Sequence, residues 1–232
     1  MNQKIRIYIS LLLFFFTLSS TFGQTEIGFK AGMLRTPYVK YEYSKYSKNE
    51  TYFKNSFSLA SWYKEEVSKN FTIGTNICYD FYESDYYFSW WNPNGGGGKD
   101  SLEVNFGFMG IYFYPQLEFG NRIKFFINAG PYIGFLINSN ASGIHRSRKD
   151  LDSDLVEKEI DGSAKAYIRS FTFAIMSTTG IKYQITHSWN IMIDVAARYG
   201  PSLFNESYGQ GQLDLIFSVG IGYSINKKTA PE

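Results

Sequence analysis

Two histidines, one cysteine and a few loop serines are the starting points for nucleophilic or metal chemistry in this chain. Acyl transfer needs a hydroxyl, an imidazole and a carboxylate in mutual hydrogen-bond reach. His145 has Ser142, Ser147, Asp150 and Asp152 close by in sequence, but such closeness is not triad geometry. The stretch from Arg146 to Asp161 reads more simply as a solvated loop, with a basic start able to touch lipopolysaccharide phosphates before acidic residues offset it. His187 falls in a short turn on the opposite rim from His145, so the pair builds no shared metal site. Cys78 adds no zinc-like spacing and reads as a small buried residue. The run Gly95 to Gly98 follows Trp90-Trp91-Asn92-Pro93-Asn94, lacks a following Lys-Ser and opens no helix, so it reads as a loop tip and not a phosphate cradle. The expectation is therefore no catalytic, cofactor-binding or metal-binding residues and no cofactor. Tyr86, Tyr87, Trp90 and Trp91 are the candidates for surface contact with sugar, lipid or a partner protein.

The elements that must position these residues show a period of two. In Phe71 to Phe81 one face is largely apolar or aromatic and the other small or polar, the mark of a sheet between two different solvents. The pattern recurs in Leu213, Leu215, Phe217, Val219, Ile221 and Tyr223 against Asp214, Ser218, Gly220, Gly222 and Ser224. It recurs again in Trp189, Ile191, Ile193, Val195, Ala197 and Tyr199 against Asn190, Asp194 and Arg198. Weaker segments read in the same way give eight strands near 25–36, 56–66, 71–82, 101–118, 123–138, 166–184, 189–199 and 212–224. Tight turns at 67–70, 120–122 and 185–188 alternate with long connections at 37–55, 83–100, 139–165 and 200–211. That asymmetry predicts an all-β fold, an eight-stranded antiparallel up-and-down transmembrane β-barrel with short periplasmic turns and long outer loops. Within the fifth strand, Pro131 predicts a bulge or bend.

The amino terminus predicts export. Lys4 and Arg6 precede an apolar run from Ile7 to Leu18, too short at about 12 residues to span as a helix, which needs about 20. Thr21-Phe22-Gly23 places small residues before Gln24, so residues 1–23 read as a cleaved signal peptide and 24–232 as the barrel domain. Removing 23 residues from 232 leaves 209, enough for one domain, and takes two positive charges from a formal net of +2, leaving a neutral chain with no field for nucleic acid. A single cysteine forbids an intrachain disulfide, so strand pairing and packing must supply stability. Aromatic residues make up 19% of the chain while mean hydropathy is only −0.24, the combination produced when strands hide their hydrophobicity by alternation.

With the apolar face towards lipid, the opposite face collects Lys30, Lys64, Asp80, Glu103, Lys124, Lys182, Asp194, Arg198 and Asp214 in the lumen. Eight strands leave an interior just wide enough for side chains, so these charges are expected to pair in a packed network and not to line a wide pore. A narrow ion pathway or proton-linked site is the functional alternative. Tyr38, Trp62, Tyr63, Tyr112, Tyr114, Tyr183, Trp189 and Tyr199 are expected where strands meet the membrane interfaces.

Short motifs carry a resemblance: Ile27-Gly28-Phe29-Lys30-Ala31-Gly32, Phe126-Ile127-Asn128-Ala129-Gly130-Pro131-Tyr132-Ile133-Gly134, Ala197-Arg198-Tyr199-Gly200 and Val219-Gly220-Ile221-Gly222-Tyr223. On these the mature chain resembles the PorT-like outer-membrane β-barrel family of Bacteroidota. The resemblance implies an outer-membrane barrel, with some members tied to secretion of other proteins, and it supplies no catalytic residues. Pro115 in the fourth strand and the Trp90-Trp91 loop depart from it. The expected function is a non-enzymatic, porin-like integral outer-membrane barrel with a structural, surface-binding or secretion-associated role. The alternatives are an outer-membrane lipid-modifying enzyme and a narrow channel. Expected partners are outer-membrane lipid and a surface or secretion-system protein, with no nucleic acid and a monomeric state.

Overall fold

A computed structural model describes residues 24–37, 39–44, 47–91, 95–149, 154–204 and 211–225. The leader, Tyr38, Asp150 and Asp152 lie outside the described residues. Eleven strands follow in chain order: β1 Thr25–Arg35, β2 Val39–Ser44, β3 Ser47–Phe53, β4 Ser56–Ser68, β5 Phe71–Trp91, β6 Gly97–Gly120, β7 Ile123–Arg148, β8 Val156–Gly162, β9 Phe171–Gln184, β10 Trp189–Pro201 and β11 Gly211–Ile225. Eight of them close a ring, β1–β4–β5–β6–β7–β9–β10–β11, every neighbour antiparallel and β11 returning to β1 with Thr25 opposite Ile225. The eight-stranded antiparallel barrel expected from alternation is the fold.

The two faces separate as the alternation requires. Along β5, Ile73 and Ile77 are exposed at 51% and 52% while Asn76 and Asp80 are buried; β10 does the same with Ile191 and Ile193 outside and Asp194 within. An exterior of Ile, Phe, Val and Leu around an interior of ions reverses the order of a water-soluble barrel, and hydrocarbon is the solvent it suits.

Three connections read as loops are sheet. β5 runs on to Trp91, β6 begins at Gly97 and β7 continues to Arg148, while β3 pairs β5 above the end of β4 and β8 pairs β7 above β9. Together with β2 on β3 they form a wall standing on one side of the barrel mouth. A membrane crossing takes about 9–11 tilted residues. β1 therefore suffices with 11 residues, whereas β5 at 21 and β7 at 26 run on for about 10 and 15 residues more, roughly 33–50 Å along the strand. Charged residues and glycines suggested loops, yet alternation persists through them: Tyr82, Ser84 and Tyr86 face in while Glu83, Asp85 and Tyr87 face out. A β-bulge where Gly107 and Phe108 meet Asn138 and Leu136 lies at the base of the wall, and a bulge of this kind bends a strand and increases its local twist. The strand expected from residue 166 begins at Phe171, because a turn at Ala164 to Ile168 folds inward, with the Tyr167 N–H donating to the Ala164 carbonyl at 2.9 Å. Pro131 inserts no extra residue: its pairing with Ile175 on β9 is in regular register, while on the β6 side the ladder lapses over residues 129–131 and resumes in the same register.

Candidate functional site

The interior is the feature that distinguishes this barrel, and it divides into four storeys. Towards the short turns, the Lys182 ammonium donates to Glu26 at 3.0 Å and to Glu118 at 2.7 Å. Lys64 stands 3.6 Å from Glu26, outside hydrogen-bond range, and rests between the faces of Trp62 and Phe126 at 5.5 and 5.4 Å from their centroids. Lys124 closes this group at 3.3 Å from Glu118. Higher up, Lys30 donates to Asp194 at 2.9 Å, and Ser218 donates to the same carboxylate.

Arg198 is the centre of the next cluster. Its guanidinium binds Asp80 through Nη1 and Asp214 through Nε and Nη2 at 3.1 and 2.8 Å, contacts the Tyr82 hydroxyl, and lies 4.3 Å from the Tyr132 ring centroid. Tyr132 donates to Asp80 at 2.8 Å; Tyr82, Thr36 and Gln212 donate to Asp214 at 2.9, 2.6 and 2.8 Å. Partners at this density offset the cost of burying these ions. Glycine makes room for the rings: a Cβ on Gly110 would sit 2.4 Å from Tyr132, and one on Gly28 2.1 Å from Trp62.

Above the ions lies an apolar plug. Leu203 and Phe204 fold inward after β10 and meet the Ala164–Ile168 turn, with Ile168 bridging Phe204 and the Arg169 N–H donating to the Leu203 carbonyl at 2.8 Å. Phe204 stacks on Tyr86 at 5.0 Å and presents edges to Phe53 and Phe106 at 6.1 and 5.8 Å. Gln212 ties the plug to the ions, accepting from the Leu203 N–H at 3.3 Å while donating to Asp214. The cavity between ions and plug is about 10 Å³, room for about one water. A second cavity of about 70 Å³ opens at the short-turn mouth, lined in part by Glu26, Lys182, His187 and Asn190.

Of the charges expected inside, Lys30, Lys64, Asp80, Lys182, Asp194, Arg198 and Asp214 are buried there, and Lys124 is half-buried at the mouth. Glu103 is not. It shares the face of Met109, Ile111 and Phe113 and emerges above the apolar band, where with Glu83 and Asp85 it surrounds Lys54 at 3.7, 4.0 and 2.7 Å. The Asp85 hydrogen bond raises the Lys54 pKa above its ordinary value. Because this cluster is solvated, Lys54→Met is expected to change stability by less than about 1 kcal/mol, with the difference shrinking in added salt; a urea titration at two ionic strengths measures it. Glu26 and Glu118 are the lumenal acids missed in sequence, although each lies an even number of positions from an inward residue, Lys30 and Gln116.

The surface candidates divide. Tyr86 is buried under Phe204 because it faces into the wall, so it is not a surface contact. Tyr87 is half-buried against Tyr52 at 6.0 Å, while Trp90 and Trp91 are 38% and 50% exposed at the tip. Trp62, Tyr112 and Tyr114 likewise point into the lumen and not to the membrane interface. His145 binds the Asp100 carboxylate through Nδ1, not a loop acid, and Ser142 lies on the opposite face of β7. His145 stands on the wall and His187 at the short-turn mouth, at opposite ends of the molecule.

No protein-family model matches the chain, and no curated protein is significantly similar to it. Among solved structures, the outer membrane protein OprG from Pseudomonas aeruginosa aligns with a TM-score of 0.54 at 8% identity, over 88% of this chain and 97% of that one. Ail, the attachment invasion locus protein of Yersinia pestis, in complex with the heparin analogue sucrose octasulfate, aligns at 0.45 and 10% identity, covering 88% and 99%. Neisserial surface protein A aligns at 0.45 and 11%, covering 86% and 96%. At such identities the likeness to OprG is one of fold, that of an outer-membrane β-barrel.

Proposed function

We propose that the chain is a monomeric, non-enzymatic integral outer-membrane barrel that carries a rigid wall outside the cell as a surface-binding or secretion-associated platform. One observation carries this reading: the lumen is filled by paired ions and sealed by a plug, while β5, β6 and β7 continue far beyond the apolar band. Among the described residues the ions and the plug occupy the lumen, and the longest strands belong to the wall. The exposed Trp90 and Trp91 at its tip suit contact with sugar or a partner protein. The PorT-like resemblance adds proteins of a secretion system to the candidate partners.

Orientation tests the platform. With cysteine at Ser101 on the wall or at Asn70 in a short turn, a membrane-impermeant maleimide applied to intact cells is expected to label the first and spare the second until the outer membrane is broken. The reverse pattern, or equal labelling, defeats the proposal. Planar-bilayer recording is expected to show no steady conductance, because ions would have to cross the plug and the Arg198 cluster; stable single-channel steps would favour the narrow channel. The mature protein is expected to begin at Gln24, which intact-mass measurement of membrane-purified protein checks.

A further inference from the structure

The β6–β7 seam differs from its neighbours in the ring. Its pairing runs through Tyr112 opposite Tyr132 and resumes, in unchanged register, at Gln116 opposite Asn128; residues 113–115 and 129–131 between them form no ladder pairs. Pro115 and Pro131 cause this. Each pairs regularly on its other side, with Ile73 on β5 and Ile175 on β9. In an antiparallel ladder, alternate residues exchange both bonds with one neighbour. The register would set Phe113 against Pro131 and Pro115 against Ala129, two positions apart and so of one class. Both prolines lack an N–H, so the seam loses two adjacent donors and the Phe113 and Ala129 carbonyls lose their ladder partners. The strands nevertheless stay close, since a Cβ on Gly130 would lie 1.9 Å from the Phe113 carbonyl oxygen.

Side chains replace part of what the backbone lacks. Inside the seam, the Tyr112 hydroxyl donates to Asn128 Oδ1 at 2.6 Å, and Asn128 Nδ2 donates to Gln116 Oε1 at 2.9 Å, so two residues of β6 are laced to one of β7. These groups are neutral, unlike the ion clusters elsewhere in the lumen. Below the gap Gln116 Nε2 donates to Glu118 at 2.7 Å and the Lys124–Glu118 pair spans the same two strands, so the ions bound the opening at its lower end. Between Tyr112 and Gln116 parting the wall would bring amides and phenols towards lipid, a less costly exposure than that of charges.

We propose that the β6–β7 seam, between Tyr112 and Gln116, is the line along which this barrel opens sideways into the bilayer, with Asn128 as its side-chain latch. Hydrogen–deuterium exchange on the folded mature protein in detergent micelles tests this. Peptides covering the seam amides of Phe113 and Ala129 are expected to exchange about tenfold or more faster than the membrane-embedded amides of the uninterrupted β9–β10 seam. Asn128→Val is expected to speed that exchange, and Pro115→Val with Pro131→Val, which returns both donors, to slow it to the β9–β10 rate. Uptake at Phe113 and Ala129 as slow as in β9–β10 overturns the proposal in the unsubstituted protein alone, as does a folded double proline variant whose uptake is unchanged.

Discussion

Replacing Arg198 by methionine is expected to cost about 3–5 kcal/mol of folding free energy, read as a lower denaturant midpoint in detergent and a lower temperature for loss of the compact form on gels. The cost comes from what remains and not from the bond removed. Asp80 and Asp214 are buried and share this guanidinium, so its loss leaves two buried carboxylates without their cation. Neutralising both in the same chain, with Asp80→Asn and Asp214→Asn beside Arg198→Met, is expected to recover much of the loss, since amides can still accept from Tyr132 and Tyr82. Additive damage from the three substitutions would mean that the cluster is not an electrostatic unit.

Phe204→Ala is expected to produce an effect of similar size, about 3–5 kcal/mol, but confined to the plug. The Phe204 ring is 2% exposed and touches Tyr86, Phe53 and Phe106, so truncation removes the contacts of three aromatic partners at once. No ladder bond of the membrane-spanning strands depends on it. The variant should therefore keep the unboiled gel mobility of the folded barrel while residues 163–170 become sensitive to limited proteolysis. Loss of the barrel itself would show that plug and ring fold as one cooperative body.

The ring was legible in sequence because each strand lies between two different solvents. Where Ile191, Ile193 and Val195 face lipid and Asp194 and Arg198 face in, one period of alternation gives both the strand and its orientation. The same rule misled at Glu103. Alternation defines a face, and above the membrane that face meets water, so an outward glutamate became compatible with the strand that carries Phe113. The wall was missed for a related reason. Beyond the apolar band, outward positions such as Glu83, Asp85 and Lys99 are polar, and hydropathy cannot separate a solvated sheet from a loop. Tyr86 could be placed only once Phe204, 118 positions away, was seen to cover it. Nor could local sequence join Arg198 to Asp80, because ring closure and register bring them together.

The most direct test of the central claim, a closed barrel inserted in the outer membrane, is the mobility of the mature protein purified from the outer-membrane fraction, run boiled and unboiled beside its circular dichroism spectrum. Faster migration without boiling, converting to the mass-expected position on heating with loss of a strong β signal, is the predicted result. Protein recovered in the aqueous phase without detergent, with the same mobility before and after boiling, would contradict it.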